Sequence, residues 1–221
     1  MKHFLPVLSR CRLFEGIEPK TIAALLGCIR HSEKKYRRNS FVLLEDDKPK
    51  SIGIVLSGLL HIVRDDYWGN RDIVSVVEPG ELFAEAFVCG GAEKLPVSVI
   101  AAEPSEIMRL DFTRITTVCS SACAFHTRLI QNMISTLAQK NIQLMEKIEC
   151  LGRRSTRSKV LSYLSACAKR QKSGDVEIPF NRQELADYLS VDRSALSAEL
   201  CRMRDEGLLT FHKNKFCIKD K

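Results

Sequence analysis

The stretch LADYLSVDRSALSAELCRMRDEGLL, residues 185–209, decides how the chain is read. Asn181 stands just ahead of it with Glu184 three residues on, a capping-box start for a helix. Leu185, Ala186 and Leu189 form the inner face of that helix. Ser190-Val191-Asp192 interrupts it, and Asp192 can cap the next one. There Leu196, Leu200 and Met203 recur at i, i+4 and i+7 and point inward. Arg193, Ser194, Ser197, Ala198 and Cys201 lie away from them, and Gly207 ends the helix. The following LLTFHKNKFCIK, residues 208–219, reads as two short strands around a Lys213-Asn214 turn. The pattern predicts a helix-turn-helix with a β-hairpin wing.

The second helix carries short polar side chains on its outer face, which suits close approach to base edges in a major groove about 12 Å wide. Arg193, near its N-terminus, can pair bidentately with guanine O6 and N7. Ser194, Ser197 and Ala198 belong to the same face. Arg182, Arg202, Arg204, Lys213 and Lys215 are the candidates for phosphate. Residues 151–221 hold 15 Lys and Arg against 9 Asp and Glu, a net of +6. The first 150 residues contribute only +1 to the chain's total of +7. A basic terminal module of this shape predicts double-stranded DNA as partner rather than a merely solvated helix pair.

Upstream of residue 151 the sequence has three textures. Residues 1–30 look helical, with Ile17, Ile22, Leu25, Leu26 and Ile29 near helical spacing. Residues 36–110 break into short Val- and Ile-rich runs separated by Lys48-Pro49, Gly69-Asn70, Pro79-Gly80 and Gly90-Gly91, which predicts a β-sandwich or roll. From Ser121 to Leu151 there is neither Pro nor Gly. Ile130, Ile134, Leu137, Asn141, Leu144, Ile148 and Leu151 step through it by four and three, a heptad seam. Such a helix is about 45 Å long, more than a small domain covers, so a second copy of the chain is expected against the seam. Asn141 would fix the pairing register. Gly152 ends the helix and Ser155 caps another, STRSKVLSYLSACAKRQ.

The expected class is α+β in three parts: an effector-sensing β-roll over 1–112, a dimerisation helix over 113–152 and a winged-helix DNA-binding domain over 153–221. The longest apolar run, IGIVLSGLLHIV from Ile52, is too short to cross a bilayer, and the N-terminus lacks an apolar leader. A cytoplasmic protein with no membrane partner is expected. Nine scattered cysteines without a CxxC pair argue against a disulfide framework. Cys119 and Cys123, at i and i+4, leave a cysteine-based redox switch of the same fold as the alternative. A metal-dependent β-roll enzyme would need clustered ligands, and His61 is the one histidine in the β region, so no enzyme and no metal site are expected.

Taken in order, these segments resemble the bacterial Crp/Fnr family of transcription regulators. LFEGIEPKTIAAL is similar to its N-terminal helix, GIVLSGLLHI and PGELFAE to its β-roll, and NRQELADYLSVDRSALSAELCRMRDEGLL to its helix-turn-helix. The resemblance implies a homodimer on a palindromic operator, with RNA polymerase as a further partner. In the members that bind cyclic nucleotides, a cassette starts Gly-Glu-Leu and ends about ten residues later in an Arg that pairs with the phosphate. Gly80, Glu81 and Leu82 match its start, but Leu95 or Pro96 stands where the Arg is expected. Lys94 is a poor substitute, and Leu144 and Met145 fall where the base would be received. A buried phosphate would lack its partner, so cyclic AMP is not expected. The oxygen-sensing branch needs an N-terminal cysteine cluster, and only Cys11 and Cys28 lie near the start, so no iron–sulfur cluster is expected. His61 and His126 are the conceivable haem ligands, read here as ordinary histidines. The effector is expected to be a small, largely apolar or uncharged molecule near Phe87, Val97, Ser98, Met133 and Leu137, with thiol chemistry or no effector as the alternatives. The family's best-known members carry Glu and Arg where Ser194 and Ala198 stand, so the operator should depart from the classical half-site while staying a two-fold palindrome.

Overall fold

In the computed structural model, residues 3–111, 113 and 124–219 are described. They form two compact units. The first takes Met1–Asp66 and Val74–Asn141, the second Tyr67–Ile73 and Ile142–Lys221. The boundary between the units falls within the long helix, between Asn141 and Ile142.

The first unit begins with helix α1 (Leu5–Leu8), a 3-10 turn (Arg12–Phe14) and helix α2 (Pro19–Cys28). The helical texture of residues 1–30 is thus broken in the middle. Gly16 takes a left-handed φ of 73°, and Pro19 fits only the first turn of a helix, so a continuous helix is excluded. Strands β1 (His31–Tyr36), β2 (Phe41–Leu43), β3 (Ile52–Ser57), β4 (Leu60–Asp65), β5 (Arg71–Val77), β6 (Leu82–Phe83), β7 (Ser98–Ala101) and β8 (Ser105–Leu110) follow, with a short helix α3 (Glu85–Cys89) after β6. They make two four-stranded sheets, ordered β1-β8-β3-β6 and β2-β7-β4-β5.

Strand β3 shows why both faces of its sheet are covered. Its side chains alternate, as any strand's must. Ile52, Ile54 and Leu56 join a core with Leu8, Leu13, Phe14, Ile22 and Leu26 from the N-terminal helices. Val55 points the other way, into a second core with Tyr36, Leu60, Phe83, Val99 and Ile107. At Gly53 a Cβ would stand 2.0 Å from the Phe83 ring, so glycine is what lets β6 lie against β3.

Helix α4 (Ala124–Leu151) is 28 residues, about 42 Å long. Leu129 and Met133 bury into the helical core of the first unit. Beside them the Asn132 Nδ2 donates to Leu13 O at 2.9 Å and Glu15 O at 2.8 Å. These bonds satisfy carbonyls in a segment that has no regular helix to pair with.

The second unit holds α5 (Thr156–Gln171), β9 (Asp175–Glu177), α6 (Arg182–Leu189), α7 (Arg193–Asp205), β10 (Leu209–His212) and β11 (Lys215–Ile218). Ser155 caps α5 by accepting from Ser158 N. The wing is a three-stranded sheet, ordered β10-β11-β9, so the short extended piece before α6 supplies a third strand to the expected hairpin. Tyr163, Phe180 and Tyr188 pack ring to ring, with centroids 4.8 to 6.2 Å apart. The segment Tyr67–Ile73 belongs to this unit. Asp72 accepts from the Ser190 hydroxyl at 3.0 Å, and Lys147 Nζ donates to Ile73 O while standing 4.0 Å over the Tyr188 ring. Burial pushes the Lys147 ammonium down to about 8.

Candidate nucleic-acid interface

The turn that separates α6 from α7 is built by local chemistry. Asn181 accepts from Glu184 N, and the Glu184 carboxylate accepts from Asn181 N, so the capping box is closed at both ends. Ser190 turns the chain with a left-handed φ of 49°. Asp192 then caps α7, accepting from Ala195 N at 2.9 Å and from the Ser194 hydroxyl. Those bonds favour the charged form and hold its carboxyl below the usual range.

In α7, Leu196, Leu200 and Met203 are fully buried. Arg193, Ser194, Ala195, Ala198, Cys201 and Arg202 are exposed, and Ser197 is half-buried at the edge. The outer surface is thus an arginine at the helix N-terminus followed by small side chains. The aligned backbone dipoles at that end add a favourable potential for phosphate.

The other basic residues differ in how free they are. Lys213 is exposed at the tip of the wing, in a left-handed turn with φ 52°. Lys215 is 3.5 Å from Glu177, and Arg204 is 2.9 Å from Asp205. Arg202 is 71% exposed and 3.3 Å from Glu199. The Lys215 and Arg204 pairs are exposed on both sides and weak, so phosphate can displace them, whereas the carboxylate that holds Arg202 is only 14% exposed. Arg182 is placed differently from a free phosphate ligand. Its guanidinium lies 4.7 Å and 5.0 Å over the rings of Phe211 and Phe216, and its burial lowers its affinity for the proton. It braces the wing against the start of α6.

The residues expected to form an effector pocket stand in several settings. Leu82, Met133 and Leu137 pack with the N-terminal helices. Val97 and Ser98 are buried at the start of β7, where Ser98 Oγ accepts from Glu45 N at 3.0 Å. Phe87 is half-buried on α3. Gly80, with φ 90°, and Glu81, whose carboxylate accepts from Glu78 N, shape the turn before β6. Leu95 is buried and Lys94 is 3.2 Å from Asp46.

A pair that the sequence did not single out stands nearby. Glu85, at the start of α3, is 2% exposed, and its Oε1 lies 2.7 Å from Lys140 Nζ on α4. Lys140 also donates to Leu82 O at 2.5 Å, while Glu85 Oε2 has no hydrogen-bond partner among the described residues. The two residues are 55 positions apart with no shared motif, so no linear signal could have joined them.

The seam of α4 changes along its length. Ile130 and Leu137 are half-buried, whereas Ile134 is 62% and Ile148 69% exposed. Leu144, together with Ile142 and Met145 beside the seam, is also exposed, as is Asn141; Leu151 is half-buried. Cys119 and Cys123 lie outside the described residues. Of the other thiols, Cys11 is pushed up to about 12 by burial, and burial also raises Cys89 and Cys150. Cys217 is raised first by its hydrogen bond to Asp175. His126 is buried in the first turn of α4 and His61 is buried in β4. Among the described residues no three His, Cys, Asp or Glu side chains are grouped to hold a metal, and no helix is long and apolar enough to cross a membrane.

Residues 33–122 match the cyclic nucleotide-binding domain family and residues 158–221 the Crp-like helix-turn-helix domain family. Over 211 residues the chain is 23% identical to the nitrogen fixation regulation protein FixK of Azorhizobium caulinodans, covering 91% of this chain and 79% of that one. It is 20% identical over 219 residues to the CRP-like cAMP-activated global transcriptional regulator of Mycobacterium tuberculosis, covering 97% and 95%. The solved structure of the c-di-GMP responsive global regulator CLP of Xanthomonas campestris is similar in fold, with a TM-score of 0.74 at 16% identity over 92% of this chain and all of that one. FixK2 from Bradyrhizobium japonicum gives a TM-score of 0.68 at 17% identity over 86% and 93%.

Proposed function

Because this chain belongs to the Crp/Fnr family of DNA-binding transcription regulators, we propose that it acts as a homodimer on a two-fold palindromic operator, under an effector other than cyclic AMP that is bound at or sensed by the β-roll. The observation that carries the reading is the division of α7. Its apolar stripe is fully buried, and its outward face is Arg193 followed by small side chains. Arg193 pairs with a guanine edge, Ser197 and Ala198 allow the helix to sit deep in the groove, and Lys213 and Arg202 hold phosphates. Two copies place their reading helices one turn of DNA apart, about 34–36 Å.

The exposed isoleucines of α4 support the dimer. A row of large apolar side chains at heptad spacing needs cover, and an identical helix supplies it with the same spacing. The residues of the roll argue against cyclic AMP. Where a phosphate would need a cation, Leu95 is buried, Lys94 is engaged by Asp46, and the nearby buried charge, Glu85, is an anion already paired to Lys140. A cyclic phosphate does not fit this set. The raised thiols disfavour a redox switch at Cys11, Cys89, Cys150 or Cys217. RNA polymerase remains the expected partner of the bound dimer.

Selection of duplexes from a random pool by the reduced protein, at physiological salt and without added ligand, tests the reading. Enrichment of a palindrome is expected. Salt-sensitive binding with no enriched sequence would overturn sequence-specific reading by the ligand-free dimer. Binding indifferent to salt would overturn DNA as the partner.

A further inference from the structure

Three arginines of the second unit face carboxylates of α7, and one of them is not on the reading surface. Arg157 sits in the first turn of α5. Its Nε donates to Glu199 Oε1 and its Nη2 to Glu206 Oε1, both at 2.6 Å. Glu199 and Glu206 are seven residues apart, two turns along one flank of α7, about 10 Å. Their side chains converge on a single guanidinium, whose planar fork can hold two carboxylates at once. The Glu199 side chain is 14% exposed, so its charge is largely removed from water and depends on this partner. Its second oxygen, Oε2, takes Arg202 Nη1 at 3.3 Å. The bond from Arg157 also holds the Glu206 carboxyl below its ordinary range.

The geometry points to Arg157 as the positioning residue for DNA reading. It fixes the rotation of α7 about its own axis and, through Glu199, the direction of Arg202, without touching DNA itself. This role rests on the DNA-reading function proposed above. The physical need for it is plain. A stripe of three apolar residues, Leu196, Leu200 and Met203, anchors one line of α7 but resists rolling about that line weakly. Roll is what decides which atoms Arg193 and Ser197 meet in the groove. Two ion pairs on the flank, 42 and 49 residues away in sequence, stop that motion from the side. They also neutralise a carboxylate that would otherwise repel the phosphates Arg202 is to hold.

The test compares wild type, Arg157→Gln and Arg157→Lys. Each is measured on the duplex that wild type enriches from a random pool and on a scrambled duplex, over a range of salt. Hydrogen exchange of α7 amides is measured in the free proteins. Arg157→Gln should reduce the preference for the enriched duplex by about tenfold or more. The salt dependence on the scrambled duplex should stay the same, because no phosphate contact is lost. Arg157→Lys keeps the charge and the fold but cannot fork to both carboxylates, so it should recover only part of the preference. Exchange in α7 should rise in both variants while that in α6 stays put. Glu199→Gln should lower the preference similarly, and adding it to Arg157→Gln should cost little more. Equal losses on both duplexes with a salt slope reduced by about one would overturn the proposal, making Arg157 a phosphate ligand. If wild type enriches no duplex, the sequence-specific reading fails by itself. Exchange then decides the positioning role alone, and unchanged α7 exchange in both variants overturns it.

Discussion

Helices α4 and α7 each carry an apolar stripe at helical spacing, and the two stripes end up in opposite situations. In α7 the stripe of Leu196, Leu200 and Met203 is wholly buried within its own unit. In α4 the stripe is half-buried at Ile130, Leu137 and Leu151 and exposed at Ile134, Leu144 and Ile148. A stripe therefore reports that a face needs cover and says nothing of who provides it. For α7 the cover comes from α5 and α6 of the same unit, α6 joined to it by a three-residue turn. For α4 the described residues leave Ile134, Leu144 and Ile148 exposed.

The largest effect that would break this comparison lies in the α4 seam. Ile134→Asp with Ile148→Asp removes two exposed isoleucines, each worth about 1.5–3 kcal/mol when covered. The proposed dimer should weaken by about a thousandfold or more in sedimentation, while each chain stays folded. A variant that remained dimeric would show that the cover lies elsewhere. In α7, Leu200→Ala should act the other way, costing about 2–5 kcal/mol of stability in chemical unfolding with no direct effect on association. Loss of association at unchanged stability would refute its assignment to the core.

A third difference concerns the buried cation of α4. Lys147 has its proton affinity lowered to about 8 by burial, against an ordinary 10.5, with Asp72 partly compensating. The folded state binds this proton less tightly than the unfolded one. Stability should therefore rise with pH between about 8 and 10.5, by about 3 kcal/mol, as the unfavourable charge is lost. Lys147→Met should flatten that rise in thermal unfolding, and an unchanged pH profile would mean that Lys147 keeps its charge at no cost. The smallest effect belongs to the reading face. Arg193→Ala should cost about 1–3 kcal/mol on the enriched duplex and relax one base position. An equal loss on scrambled DNA would reduce Arg193 to a phosphate contact.

Much of the second unit was legible because its signals are local. Asn181 with Glu184, Asp192, Ser155 and Gly207 act within a turn of themselves, and the structure forms each cap as the spacing requires. The N-terminal region was less legible, since its helical spacing runs through Gly16 and Pro19, which break it. The setting of the cassette residues was the least legible. Gly80, Glu81 and Leu82 were matched to a motif, but they shape a turn and a core position, while the buried charge nearby is Glu85.

Sequence alone determined the order of textures, the helix-turn-helix with its wing, the heptad stripe and the concentration of positive charge in the last third. These follow from periodicity, caps and composition, which depend only on neighbours along the chain. Tertiary structure alone decided that Glu85 meets Lys140, that Arg182 braces the wing and that Arg157 gathers Glu199 and Glu206. Each of these joins side chains tens of residues apart. A charge finds its partner through the packing of whole helices and sheets, and no spacing along the sequence encodes that distance.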